Sequence, residues 1–197
     1  MSGFAAIFLA AVLIVIAYFA CFELKKPSSE RLMPIVMLVV IGSLGRVVFA
    51  FIPQVQPTTA IVIIAGAVLG SSDGFMTGAL CALTSNILLG QGPWTQFQMI
   101  AWGTVGLLAG LIAKLPFGKS VFVMTVYSAV AAMIFSVITD FYTVSTFWDG
   151  MTVPYALSIF TAGLIFNISH AVGNVIFMLI LYYPLRHMLE RVRAKYI

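Results

Sequence analysis

Residues 4–22 contain no charged side chain and no amide, only aliphatic and aromatic groups with one cysteine. A run of that length matches the roughly 20 residues an α-helix needs to cross the hydrocarbon of a bilayer. Comparable runs recur at about residues 32–52, 96–113, 120–142 and 155–183. Their apolarity is continuous, where strands of a membrane barrel would alternate, so the spans are helices that satisfy their own backbone hydrogen bonds in lipid. Charged residues make up 8% of the 197-residue chain against 62% hydrophobic, too few to cover a water-soluble globule. The fold class is therefore all-α: a polytopic helix bundle, multi-pass in the cell membrane. The spans use up the chain and leave no room for a soluble domain, so any ATP hydrolysis would belong to another subunit.

One topology accounts for the charges. With the N-terminus out and the C-terminus in, every Lys and Arg except Arg46 falls on the cytoplasmic side, as the positive-inside rule requires. No positive residue precedes residues 4–22, while Lys25, Lys26 and Arg31 follow them; this reverses the order of a secretory signal peptide, so a retained helix is expected. Two shorter apolar pieces, residues 59–69 and 75–89, flank Ser71-Ser72-Asp73-Gly74. They read equally as short crossing helices or as a re-entrant pair. Either way residues 53–58, 90–95 and 143–154 lie outside. The net charge of +4 sits beside membrane spans and implies a lipid surface, not nucleic acid.

Polar groups inside hydrocarbon are costly and normally face a cavity or a partner. The topology puts Arg46, Asn86, Gln98 and Asp140 in the outer half of the bundle. Asn167, His170 and Asn174 share a helix face by their spacing. Above them lie Pro53-Gln54-Val55-Gln56-Pro57, the knot Gly90-Gln91-Gly92-Pro93-Trp94-Thr95, and the loop with Trp148. The expectation is a solute cavity open to the outside, bounded by Arg46, Gln54, Gln56, Asn86, Gln91, Trp94, Gln98, Asp140, Tyr142, Trp148, Asn167 and His170. Plainer roles stand beside this one: an Arg46–Asp140 ion pair, a carbonyl bond for His170, helix–helix glue for Asn174 and interfacial anchoring for the tryptophans. Cys21 and Cys81 lie in apolar runs and suit core packing. No metal-ligand or nucleophile motif is present, and no cofactor of the chain's own is expected.

Glycines at 66, 70, 74 and 78, and again at 106 and 110, form faces on which membrane helices approach closely. Such faces serve internal packing or a partner; Gly42 and Gly45 are the candidates for a partner-docking surface.

The order Arg46, Pro53, Ile64-Ala65-Gly66, Leu69-Gly70, Gly74-Phe75, Gly78-Ala79-Leu80, the Gly90–Thr95 knot and Gly106-Leu107-Leu108-Ala109-Gly110 resembles the substrate-binding S component of energy-coupling factor (ECF) transporters. The resemblance covers residues 32–197, with residues 1–24 as an extra N-terminal helix outside the usual six. It implies a six-helix bundle that captures a vitamin outside and docks on a membrane T subunit with two cytoplasmic ATPases, which use the ATP. It also implies toppling in the membrane to release the vitamin inside. The family's usual Ala-x-x-x-Ala of the first helix is replaced by Ile41-Gly42-Ser43-Leu44-Gly45. The loops look most like those of cobalamin-type S components, so a corrinoid is the first expectation. Riboflavin, a pterin and a queuosine precursor are alternatives, and a structural scaffold of similar fold that binds only proteins is another.

Overall fold

The computed structural model describes residues 3–196. Eight α-helices follow in order: α1 (Gly3–Glu23), α2 (Ser29–Val48), α3 (Thr58–Leu69), α4 (Ser71–Leu89), α5 (Thr95–Ile112), α6 (Val121–Thr146), α7 (Val153–Ala162) and α8 (Leu164–Tyr196), with a single 3₁₀ turn at Trp148–Gly150 before α7. The boundaries follow local chemistry. Ser28 and Ser120 cap α2 and α6 by accepting the amides of Arg31 and Val123. Thr152 caps α7, with Pro154 in its first turn. Gly70 and Gly90 take φ of +115° and +118°, which an L side chain rarely adopts, so each ends a helix abruptly.

At the centre stands α3. Eleven of its twelve residues are buried, and α2, α4, α5, α6 and α8 all pack on it. A helix that is apolar all round can be enclosed this way because no face needs water. At ~1.5 Å per residue α3 is only about 18 Å long. Its contacts depend on missing side chains. A methyl group on Gly66 or Gly74 would strike the Gly106 carbonyl oxygen, one on Gly106 would strike that of Gly74, and one on Gly78 would strike the Trp102 backbone. The backbones of α3, α4 and α5 therefore touch directly, an arrangement that lets dispersion replace the absent hydrophobic drive between helices in lipid.

The two ends of the bundle differ. At one, Arg31 at the start of α2 forms a bidentate pair with Asp73 in the first turn of α4 (Nη2–Oδ1 2.7 Å). Nearby, Arg193 of α8 donates to the Val68 carbonyl at 2.9 Å, and Tyr182 and Arg186 both donate to the Lys119 carbonyl. At the other end lie Arg46, the 53–58 loop, the C-terminus of α4 and the N-terminus of α5. The cations other than Arg46 that these bonds fix thus gather at one end, the arrangement the charge count requires for the cytoplasmic side. Helix α1 is peripheral. Only Ala11 and Phe22 are buried on it; Tyr18 stacks on Phe75 (3.6 Å between ring centroids) and its hydroxyl donates to the Ser72 carbonyl.

Three expectations change. Residues 71–74 are no linker but the first turn of α4, and Gly70 alone separates α3 from α4. Because α3 and α4 each run from one end of the bundle to the other, the pair is a crossing hairpin and not a re-entrant loop. The final span is broken at Gly163, and the basic tail continues α8 as helix. Of the cysteines, Cys81 is buried, with its sulfur facing Gly42, but Cys21 is exposed on α1.

Gly106→Ala should destabilise the bundle by ~3 kcal/mol or more, because the new methyl meets backbone that cannot yield. Gly150→Ala, which meets nothing within 4 Å, should be neutral. Thermal unfolding of both variants in detergent checks the contrast, and equal midpoints would refute the close approach of α4 and α5.

Candidate solute-binding site

The site is built on Arg46, in the last turn of α2. One terminal nitrogen, Nη1, donates to Ser85 Oγ and to Asn86 Oδ1, each at 2.6 Å. The guanidinium lies over the Trp102 ring, 4.9 Å from its centroid, a cation–π contact that strengthens as water is excluded. Asn86 passes the network on. Its Nδ2 donates to Gln98 Oε1 at 2.8 Å and to Thr95 Oγ1 at 3.0 Å. Thr95 in turn donates to Gln91 Oε1, and Gln91 Nε2 to the Leu83 carbonyl. The knot is thus tied to α4 by side chains, with the Trp94 ring folded over Gly92.

A second branch starts from Trp102. Its Nε1 donates to Thr59 Oγ1 (3.1 Å), which is 3.0 Å from His170 Nε2. The Thr59 hydroxyl, with one donor and two acceptor sites, can serve tryptophan and histidine together and so bridges α5 to α8. The ring of Phe135 stands edge-on to His170 and packs on Trp102. His170 Nδ1 and Asn174 Oδ1 are buried without a hydrogen-bond partner among the described residues.

The expected residues fall into three groups. Arg46, Gln54 and Gln56 line one cleft of about 170 Å³ together with Ala50, Ile52 and Leu89; Gln54 turns the loop sharply through a left-handed backbone (φ +63°). Asn86, Gln91 and Gln98 join this group through the Arg46 network. A second group gathers around Gly163. Asn167 Oδ1 accepts from Ser136 at 2.5 Å, and both Asp140 and Asn167 face the Gly163 Cα. The third is aromatic. Tyr142 packs against Phe97 and Phe4, while Trp148 covers the start of α1 at Gly3 and borders clefts of about 290 and 390 Å³.

Several plainer alternatives are decided by this geometry. Arg46 is held by Ser85 and Asn86 and makes no ion pair with Asp140. His170 is 1% exposed and bonded to a threonine hydroxyl, not to a carbonyl. Asn174 donates to the Ser128 carbonyl across the α6–α8 contact, as glue would. Gly42 and Gly45 face Cys81 and Pro57 within the bundle, so internal packing accounts for both. A bulky residue at either position would test that packing before it tested docking.

Sequence reasoning overlooked Trp102, Thr59, Ser85 and Thr95. Trp102 was legible in one respect, since it lies four residues after Gln98 and so on the same face of α5. Thr59 gave no signal, because a hydroxyl at the start of an apolar run reads as a cap.

A family model described as ECF-type riboflavin transporter, S component, matches residues 35–187. No curated protein and no solved structure matches the chain. The matched segment contains the Arg46 network and the Gly163 group and leaves out α1.

Asn86→Leu should cost about 1–3 kcal/mol, because Arg46 then loses one of its two acceptors and Gln98 Oε1 and Thr95 Oγ1 lose a donor. Gln91→Ala, whose carbonyl bond is exposed, should cost less than about 1 kcal/mol. Thermal midpoints in detergent distinguish the two, and a reversed order would show that Asn86 is not the hub.

Proposed function

The chain belongs to the family of ECF-type riboflavin transporter S components, and from that premise we propose that it captures riboflavin, or a closely related flavin, at the Arg46 end of the bundle. The family is one of membrane-integral substrate-binding subunits of transporters and not of enzymes. The protein is membrane-integral: among the described residues five helices are long and apolar enough to cross a bilayer.

The match over residues 35–187 is the observation that carries the choice of substrate. It favours riboflavin, one of the alternatives, and lends no support to the corrinoid expected from the loops. The chemistry of the site agrees. The imide edge of a flavin ring alternates hydrogen-bond acceptors with a donor. Arg46 supplies donors and the amides of Gln54, Gln56 and Gln98 supply both kinds. Trp94 and Trp148 offer aromatic faces to a flat ring. The Arg46 cleft of about 170 Å³ is smaller than the roughly 300 Å³ at which ligand pockets begin, so capture is proposed to include an opening of the 53–58 loop and the knot.

In this reading the chain delivers riboflavin together with a membrane T subunit and two cytoplasmic ATPases, and uses no cofactor itself. The N-terminus lies outside and the C-terminus inside, with α1 added to the six-helix core.

Purified protein titrated with riboflavin should quench the flavin's fluorescence at a stoichiometric point. Arg46→Ala and Gln98→Ala should each weaken binding by about tenfold or more, ~1.4 kcal/mol, while Val137→Ala, exposed on α6, leaves it unchanged. Absence of any flavin binding by the intact protein would overturn the substrate. Flavin binding indifferent to both substitutions would overturn the site.

A further inference from the structure

We infer that the cleft at the cytoplasmic end of the bundle holds the phosphate headgroup of an anionic phospholipid. The cleft measures about 360 Å³. Its floor is the end of α3, Gly66 to Gly70, and its charged walls are Lys114, Lys119 and Arg193. Two of these cations come from the α5–α6 loop and the third from α8, so two parts of the chain bring three positive charges to one hollow.

Among the described residues no carboxylate lines the hollow. Of the four acids at this end, Asp73 is engaged with Arg31 and Glu190 with Arg186, while Glu23 and Glu30, at the α1–α2 connection, are outside the lining. Arg193 uses Nη1 on the Val68 carbonyl, which fixes its guanidinium at the rim and leaves its other nitrogens free of any carboxylate. Helix dipoles do not answer the charge either. The C-terminus of α3 and the N-terminus of α4 meet at Gly70, so their opposite partial charges offset each other. The hollow therefore keeps a net positive potential that an anion would neutralise.

The surroundings select a lipid. Lys114 and Lys119 flank Leu115-Pro116-Phe117-Gly118. Phe117 is 87% exposed although its backbone takes the left-handed φ of +60°, a conformation disfavoured for a bulky residue and unrewarded by any burial within the chain. Leu115 and Phe122 are likewise exposed beside it. Apolar side chains next to uncompensated cations, at the bilayer–cytoplasm boundary, match a molecule with an acyl chain attached to a phosphate. Anionic lipids populate that leaflet, and basic pockets between membrane helices on that side take their headgroups. Soluble phosphate would share the headgroup chemistry but would leave the aromatic and aliphatic rim without a partner.

The full chain is reconstituted in bilayer discs of phosphatidylcholine with or without phosphatidylglycerol, extracted, and the retained lipid identified by native mass spectrometry. Phosphatidylglycerol should be retained in preference to phosphatidylcholine. Lys114→Gln with Lys119→Gln should reduce that retention by about tenfold or more, the weight of two lysines facing an anionic lipid, with riboflavin binding unchanged as the measure of an intact fold. Arg193 is left in place because its carbonyl bond also supports α3. Equal retention of both lipids, or phosphatidylglycerol retention unaffected by the double substitution, overturns the inference. Stabilisation by inorganic phosphate alone to the same extent as by the lipid assigns the site to a soluble anion and overturns the lipid. If the double variant keeps its lipid but no longer assembles with the transporter's other subunits, the surface is a protein interface instead.

Discussion

Contact between bare backbones at Gly66, Gly74 and Gly106 is the constraint on which the rest of the bundle depends. Without side chains at these positions α3, α4 and α5 close to touching distance, which enlarges the area over which dispersion acts in a medium where apolar burial gives little drive. That triple contact fixes the azimuth of α4. It turns Asn86 and Ser85 toward α2, where they meet Arg46, and Asp73 toward Arg31 at the opposite end. It also turns Trp102 of α5 inward, between Arg46 on one side and Phe135 on the other. A shift of one turn in α4 would unmake all of these together.

The two cations at the ends of α2 are treated differently. Arg31 meets a carboxylate bidentately, which neutralises both partners. Arg46 meets only neutral oxygens and an aromatic face. Its charge is solvated but not cancelled, so it stays available to a ligand with partial negative charge.

Much of this was legible in the sequence, for physical reasons that can be named. Apolar runs and the bias of Lys and Arg specify helices in a membrane because hydrocarbon tolerates few alternatives. Arg46, Asn86 and Gln98 could be grouped because depth follows from counting residues along a helix. What escaped was azimuth. Spacing put Asn167, His170 and Asn174 on one helix face but did not say what that face meets, and the apolar run around Gly42 gave no direction at all, so Gly42 stood as a candidate for a partner and His170 for a solute. The structure turns both inward. The Gly163 interruption escaped for a related reason: its backbone keeps helical angles (φ −73°, ψ −14°), and a single glycine within an apolar run does not announce where one helix yields to the next. Asp73 read as part of a polar linker until its partner, 42 residues earlier, drew it into the first turn of α4.

The shortness of α3 has a consequence for the thickness of protein between the two ends of the bundle. The Arg46 cleft opens beside the loop that leads into α3, and the basic cleft opens on the last residues of the same helix. The two hollows therefore open toward opposite ends of a helix only about 18 Å long, twelve residues at ~1.5 Å each, in a bilayer whose hydrocarbon is ~30 Å deep. Along this one line the chain needs little more than half of that depth to pass from one end of the bundle to the other.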